Sequence, residues 1–365
     1  MTKALLYYRA KTIDGPHTDH LPGMVTFRKY FKIFKRYAPI DRSGVIRTPL
    51  SVQSIFPIPK YRGISKSLEQ ICNERAAELL SRADAMDCDL YLLWSGGIDS
   101  TLVLVSLLKN ASPVQKRRII VVLSKTSIGE NPRFYYDHIH EQLRVKSSAL
   151  VGDLIGSNHL LVNGEPADQI FGYDIDGFGF IDRYGMATVH ARYDRATFID
   201  FFALRLQDAQ VTAFFINLFE RLIGAAPIPI VSNFDAFWWI NFTMKWQDAY
   251  MRTLSFAPTH AAADIMLEYT HRNYRPFFST NDFQLWTMNN RDKIIKDDWR
   301  TFKWLCKDII YDYAKDADYR DHKVKHRSLQ SISKQAPRFN FIDSSLHFLQ
   351  KVELQDYFAP DNDFR

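Results

Sequence analysis

The sequence predicts an α/β protein: a parallel sheet with helices on both faces, followed by a mainly helical C-terminal part. Three observations predict it. Short apolar runs at 90–93, 117–125 and 160–162 read as strands, and helical periodicity fills the stretches between them. Strand and helix alternate with the regularity of a parallel sheet covered on both sides. From about residue 186 the texture changes to long helical patterns rich in aromatic residues. At 365 residues the chain is long enough for a large core, and for two domains or one domain with an appendage.

Composition narrows the class. Hydrophobic residues make up 46% and charged residues 24%, a globular balance that argues against disorder away from the ends. The net charge of +6 is mild and its Lys and Arg are spread along the chain. That fits a solvated surface better than a dedicated nucleic-acid face, although nucleic acid stays open as a partner. Cys72, Cys88 and Cys306 form no CxxC and no paired spacing, so neither a zinc site nor a disulfide framework is expected. A reducing, cytoplasmic compartment is the expectation. No apolar run reaches ~18 residues, so no membrane span is expected. "MTKALLYYRAK" lacks a secretory h-region.

The elements follow in order. "ALLYY" (4–8) reads as a short strand. "GMVTFRKYFKIFKRY" (23–37) reads as a basic amphipathic helix, with its apolar side packed on the domain and its lysines solvated, in preference to a helix that binds a membrane surface or nucleic acid. The prolines of 48–63 mark an extended connector. Leu68, Ile71, Cys72, Ala76, Leu79, Leu80 and Ala83 have helical spacing, and Ser67 with Gln70 reads as a capping box. The helix ends near Met86, and Leu90–Leu93 is the first sheet strand. Thr101–Leu108 suits a helix buried against a sheet. Residues 117–125 are the next strand, and Asn131 with Pro132 starts another helix. Beyond 186, one or two helices close at Gly224. Phe234, Trp238, Phe242 and Trp246, four apart, form a helical core stripe. A short helix is expected at 344–353. The linear division is a mixed appendage (1–62), the α/β domain (63–185), the mainly helical part (186–330) and a tail (331–365).

The segment "YLLWSGGIDSTLVLV" (91–105) carries the chemistry. It is a strand end, two glycines and a helix start. Open α/β sheets bind ligands at the C-terminal ends of their strands. Gly96 and Gly97 let the backbone curl around an anion, and helix-start amides with Ser95 and Ser100 supply donors. Asp99 would repel bare phosphate, but suits Mg2+ that neutralises a phosphate chain. The pattern is neither GxxxxGK[ST] nor GxGxxG. A second stretch, "LLVNGEPADQIFGYD" (160–174), brings Glu165 and Asp168 to another strand end, where a helix begins near Pro166. Three apart on a helical turn, they share a face, and one could hold metal while the other acts as a base. Acids that merely cap the helix start are the plain alternative.

"SGGIDS" resembles the motif of the PP-loop family, the N-type ATP pyrophosphatases, and implies an adenine nucleotide alpha hydrolase-like fold. That resemblance implies cleavage of ATP between its α and β phosphates, with AMP placed on a substrate oxygen. The second stretch is similar to "GEGxDExFxGY" of asparagine synthetase-type amide ligases at Gly164, Glu165, Ala167, Asp168, Phe171, Gly172 and Tyr173. Further matches, in the same order, are Pro276 and Phe277, then Lys303, Leu305 and Lys307 of "KWLCK", then Lys323 and Lys325 of "DHKVKHRSL". The likeness covers roughly 67–330. It departs at Asn163, Pro166 and Gln169, and one glycine of the family's "GGY" is missing. Residue 2 is Thr2 rather than a nucleophilic cysteine, and the segment ahead of the synthetase-like part is too short for a glutaminase domain.

What the resemblance implies is an ATP- and Mg2+-dependent ligase acting on a small-molecule carboxylate and an amine or ammonia. A separate amidotransferase subunit is a possible ammonia source, and a homodimer is an open arrangement. Ser95, Gly96, Gly97, Asp99, Ser100 and Gly164 would bind ATP and pyrophosphate, with Leu93 against adenine. Asp99 and Asp168 would hold metal. Glu165 would be the base, with Lys325, or Lys323 in reserve, stabilising pyrophosphate or a tetrahedral oxyanion. His322 and His326 read as surface residues. Two rivals stand beside this reading: a PP-loop enzyme that modifies nucleotides or tRNA, and a non-catalytic descendant that binds ATP.

Overall fold

A computed structural model describes residues 3–34, 37–172, 177–258, 263–324 and 336–365. Thr2, Tyr173, Lys325 and His326 lie outside the described residues. Among those described there are seven strands: β1 Leu5–Tyr8, β2 Leu90–Leu93, β3 Ile119–Leu123, β4 Arg144–Ser147, β5 Leu160–Val162, β6 Phe341–Asp343 and β7 Phe348–Leu349. The chain divides into two compact units. One comprises Met1–Tyr61, Asp168–Ser255 and Phe339–Arg365; the other comprises Arg62–Ala167 and Phe256–Arg338.

The second unit contains the parallel sheet, ordered β4-β3-β2-β5. Every residue of β2, β3 and β5 is buried, so both faces of these strands are covered. β4, exposed throughout, is the edge. Helix Leu68–Ala85 begins with the expected capping box, in which Ser67 Oγ accepts from the Gln70 amide and Gln70 answers to the Ser67 amide. It packs on helix Ile98–Asn110, and helix Trp304–Ala314 packs on both. Asn131 caps Pro132–His138 through Oδ1, which accepts from the Phe134 amide. The α/β class and the helical C-terminal part are therefore present.

His159, just before β5, is buried and stacks on Tyr91 with ring centroids 4.2 Å apart. Burial, helped by Lys146, pushes its imidazole down from 6.5 to about 4. Between these values the unfolded chain binds a proton that the fold does not. Stability is full above about pH 6.5 and falls as the pH drops toward 4, by roughly 3 kcal/mol in total. Urea unfolding of His159→Phe is expected to lose this slope; an unchanged slope would assign it to other groups.

The first unit joins segments far apart in sequence. β6 pairs antiparallel with β1 and with β7. Helix Met24–Ile33 buries Phe27, Tyr30 and Phe31; Phe215 stacks on Tyr30, and Phe364 meets Phe27 edge-on and Tyr30 at a tilt. Its Lys29 pairs with Asp208 at the rim, so the packed basic helix is the observed arrangement. Asn233–Met244 is buried nearly all round; of the expected stripe Trp238 and Phe242 are buried in it, Phe234 is half-buried, and Trp246 is buried in the next helix, Trp246–Met251, while Trp239, outside the stripe, is buried too. Arg42 lies with its guanidinium 4.2 Å from the Phe242 ring centre and 4.1 Å from that of Trp246.

Two expectations change. No helix forms at 344–353. Asp343 Oδ1 accepts from the Ser345 and His347 amides and Leu346 takes φ +57°, which turns the chain into the β6–β7 hairpin. The linear division also gives way, because the chain leaves the sheet-bearing unit at Asp168 and re-enters it at Phe256. No described helix is long and apolar enough to cross a membrane.

Candidate functional site

The site is built in the sheet-bearing unit, where β2 ends. Trp94 continues the ladder through its amide to Val122 O, and its indole donates to Thr101 Oγ1 at 3.1 Å. The turn after it is wound around its own serines. Ser100 Oγ accepts from the Ser95 amide at 3.0 Å and lies 3.0 Å from Ser95 Oγ; the Gly97 amide donates to Ser95 Oγ at 3.3 Å. Ser100 is 5% exposed, so its hydroxyl braces the loop from within. Gly96 has φ +76°, and a Cβ there would meet Ser127 O at 2.3 Å and Glu130 Cβ at 2.8 Å. Only glycine fits both demands. Gly97 caps helix Ile98–Asn110, whose first-turn amides have no intrahelical acceptor.

The structure brings the second motif to this loop. Gly164, two residues beyond β5, lies so close that a Cβ would be 3.1 Å from Asp99 Cβ and 3.2 Å from the Ser100 amide. Glu165 follows, half-buried, its amide held by Asn163 Oδ1 at 3.1 Å and its carbonyl accepting from the Phe278 amide at 3.3 Å. The helix begins only at Ala167, so Glu165 stands in the turn before it and does not share a helical face with Asp168. Pro166 is the reason, since the residue before a proline is pushed out of helical geometry. Asp168 is half-buried and belongs to the other unit, where its carbonyl accepts from Asn241 Nδ2. Leu93 is buried within the strand.

One residue not singled out as a site residue stands at its centre. Lys303 Nζ lies 2.5 Å from Asp99 Oδ1, with the lysine side chain 2% exposed and the aspartate 24%. The lysine's backbone sits at φ +56°, just ahead of helix Trp304–Ala314, and its amide donates to Ile294 O at 3.0 Å. Its signal in the sequence is the match of "KWLCK" to the family's segment, which by itself gives Lys303 no role. Lys307, also buried, donates to Arg300 O, and burial pushes its ammonium pKa down. Lys323 is engaged elsewhere: Nζ donates to Glu130 Oε1 at 2.6 Å and to Glu130 O at 2.9 Å. All three cysteines are free and buried, and burial pushes their thiol pKa values up, which leaves no reactive thiolate.

The helix-start amides, with the buried Lys303 ammonium beside Asp99, are donors of the kind a phosphate chain takes. No group of three or more metal-ligating side chains occurs among the described residues. No family model matches this chain, and no curated protein matches it.

Proposed function

We propose that the chain is an ATP-dependent, AMP-forming ligase that adenylates a carboxylate and passes the acyl group to ammonia or an amine, on an adenine nucleotide alpha hydrolase-like fold of the PP-loop type. The observation that carries this reading is the glycine loop at the end of β2, closed by Gly164 and set beside the buried Lys303. A carboxylate is a poor electrophile because its leaving group would be oxide. In the proposed reaction its oxygen attacks the α-phosphorus of ATP, the bond to the β-phosphate oxygen breaks, and pyrophosphate leaves. Loop amides and Lys303 receive the charge that grows on that leaving group, as fixed donors already aimed at it. Asp99 would hold Mg2+ in this unit; bound there, the ion would supply Lewis-acid charge neutralisation. The amine then attacks the acyl carbon, AMP departs, and the proton shed by the nitrogen passes to Glu165.

Incubation with Mg-ATP, ammonia and a panel of carboxylic acids tests this. AMP and pyrophosphate are expected, and only in the presence of the correct acid. ADP and orthophosphate would reject adenylation. An ATP–pyrophosphate exchange that needs RNA instead of a small acid would move the chain to the nucleic-acid-modifying relatives. Tight nucleotide binding with no AMP from any substrate would leave a non-catalytic protein.

A further inference from the structure

The Gly96–Gly97 peptide is held from its carbonyl side. Tyr319 Oη, 3.4 Å away, donates to Gly96 O, and the ring is only 7% exposed. A planar trans peptide points its C=O and its N–H in opposite directions. A grip on the Gly96 carbonyl therefore aims the Gly97 amide the other way, where it meets Ser95 Oγ inside the loop. Burial raises the Tyr319 pKa, so the phenol keeps the proton it donates.

Tyr319 is itself anchored. It lies in helix Ala317–His322, capped by Asp316, and its carbonyl accepts from the Lys323 amide at 3.0 Å. Lys323 Nζ then reaches Glu130, with the two side chains 9% and 14% exposed. Glu130 is the residue whose Cβ closes on Gly96. An open cavity of about 370 Å3 is lined by Glu130, Tyr319 and Lys323.

We propose that Tyr319, Lys323 and Glu130 form a positioning clamp that fixes the Gly96–Gly97 peptide, with its amide on Ser95 Oγ, and so holds the shape of the loop that would receive the departing diphosphate. Lys323 acts through Gly96 and touches no reacting atom. The proposal rests on the reading of the loop as a diphosphate cradle.

The test uses the full chain and inorganic pyrophosphate with Mg2+ as the probe. Binding is measured by calorimetry, and amide exchange at 95–101 by mass spectrometry. Tyr319→Phe removes one oxygen from an otherwise intact ring and is expected to weaken pyrophosphate binding about five- to tenfold. Lys323→Met is expected to weaken it about tenfold. Both should speed exchange in the loop, while Lys323→Arg restores binding to within about twofold of wild type. If Lys323→Met fails to fold, Tyr319→Phe and Lys323→Arg carry the comparison. Wild-type binding that Tyr319→Phe and Lys323→Met match, with exchange unchanged, overturns the clamp and leaves the cradle standing. A wild type that does not bind pyrophosphate overturns the cradle, and the clamp with it.

Discussion

Lys303→Met is expected to lower the rate of AMP formation about 10²–10³-fold, the usual effect of removing one fixed donor from a growing anion. The structural cost should be smaller than for its partner. Lys303 is 2% exposed and Asp99 24%. Without Lys303, Asp99 can still turn to water. Without the Asp99 carboxylate, the buried ammonium loses this counter-charge. Breaking a buried pair from that side costs about 3–5 kcal/mol. Asp99→Asn is therefore expected to abolish turnover and to lower urea stability more than Lys303→Met does. The double variant Asp99→Asn/Lys303→Met should recover much of that stability and none of the activity. Full activity in Lys303→Met would remove the lysine from the site; equal stability losses in the two single variants would contradict the assigned burial asymmetry.

Gly96→Ala should have the second-largest effect. The new methyl group would be placed in a left-handed backbone conformation, which costs an L-residue about 1–2 kcal/mol. It would also be driven against the Ser127 carbonyl, a backbone atom that cannot rotate away as a flexible side chain can. Relief requires the loop or the start of the next helix to move, at a further cost of about 1–3 kcal/mol. Pyrophosphate affinity is expected to fall by at least about tenfold, equivalent to 1.4 kcal/mol. Gly129→Ala is the control. A Cβ there meets nothing within 4 Å, and the residue lies in helix Lys125–Glu130. Alanine at 129 is expected to be neutral or to stabilise by up to about 1 kcal/mol. Calorimetry with pyrophosphate and urea unfolding on both variants check the pair; a Gly96→Ala protein as stable and as tightly binding as Gly129→Ala would contradict the geometry of the turn.

Much of the sheet-bearing unit was legible because its signals are local. A capping box at Ser67, a proline after Asn131 and apolar runs at the strands each act within a few residues, and the backbone follows them. The glycine loop was legible for the same reason. The aromatic stripe at 234–246 told of burial, but not of which segments it is buried among. The hairpin at 341–349 was missed because Asp343 acts through a turn that resembles a helix start in sequence.

The amino-acid order alone determined the parallel α/β class, the capped helix ends and the turn at 95–100, since each depends on neighbours in the chain. Tertiary structure decided the rest. It set Lys303 on Asp99 across two hundred residues, placed Gly164 against the start of the loop's helix, turned Lys323 to Glu130, and drew the tail onto β1. The reason is physical: a buried charge is tolerated only where another segment supplies its counter-charge, and which segment arrives is settled by packing of the whole unit rather than by local preference.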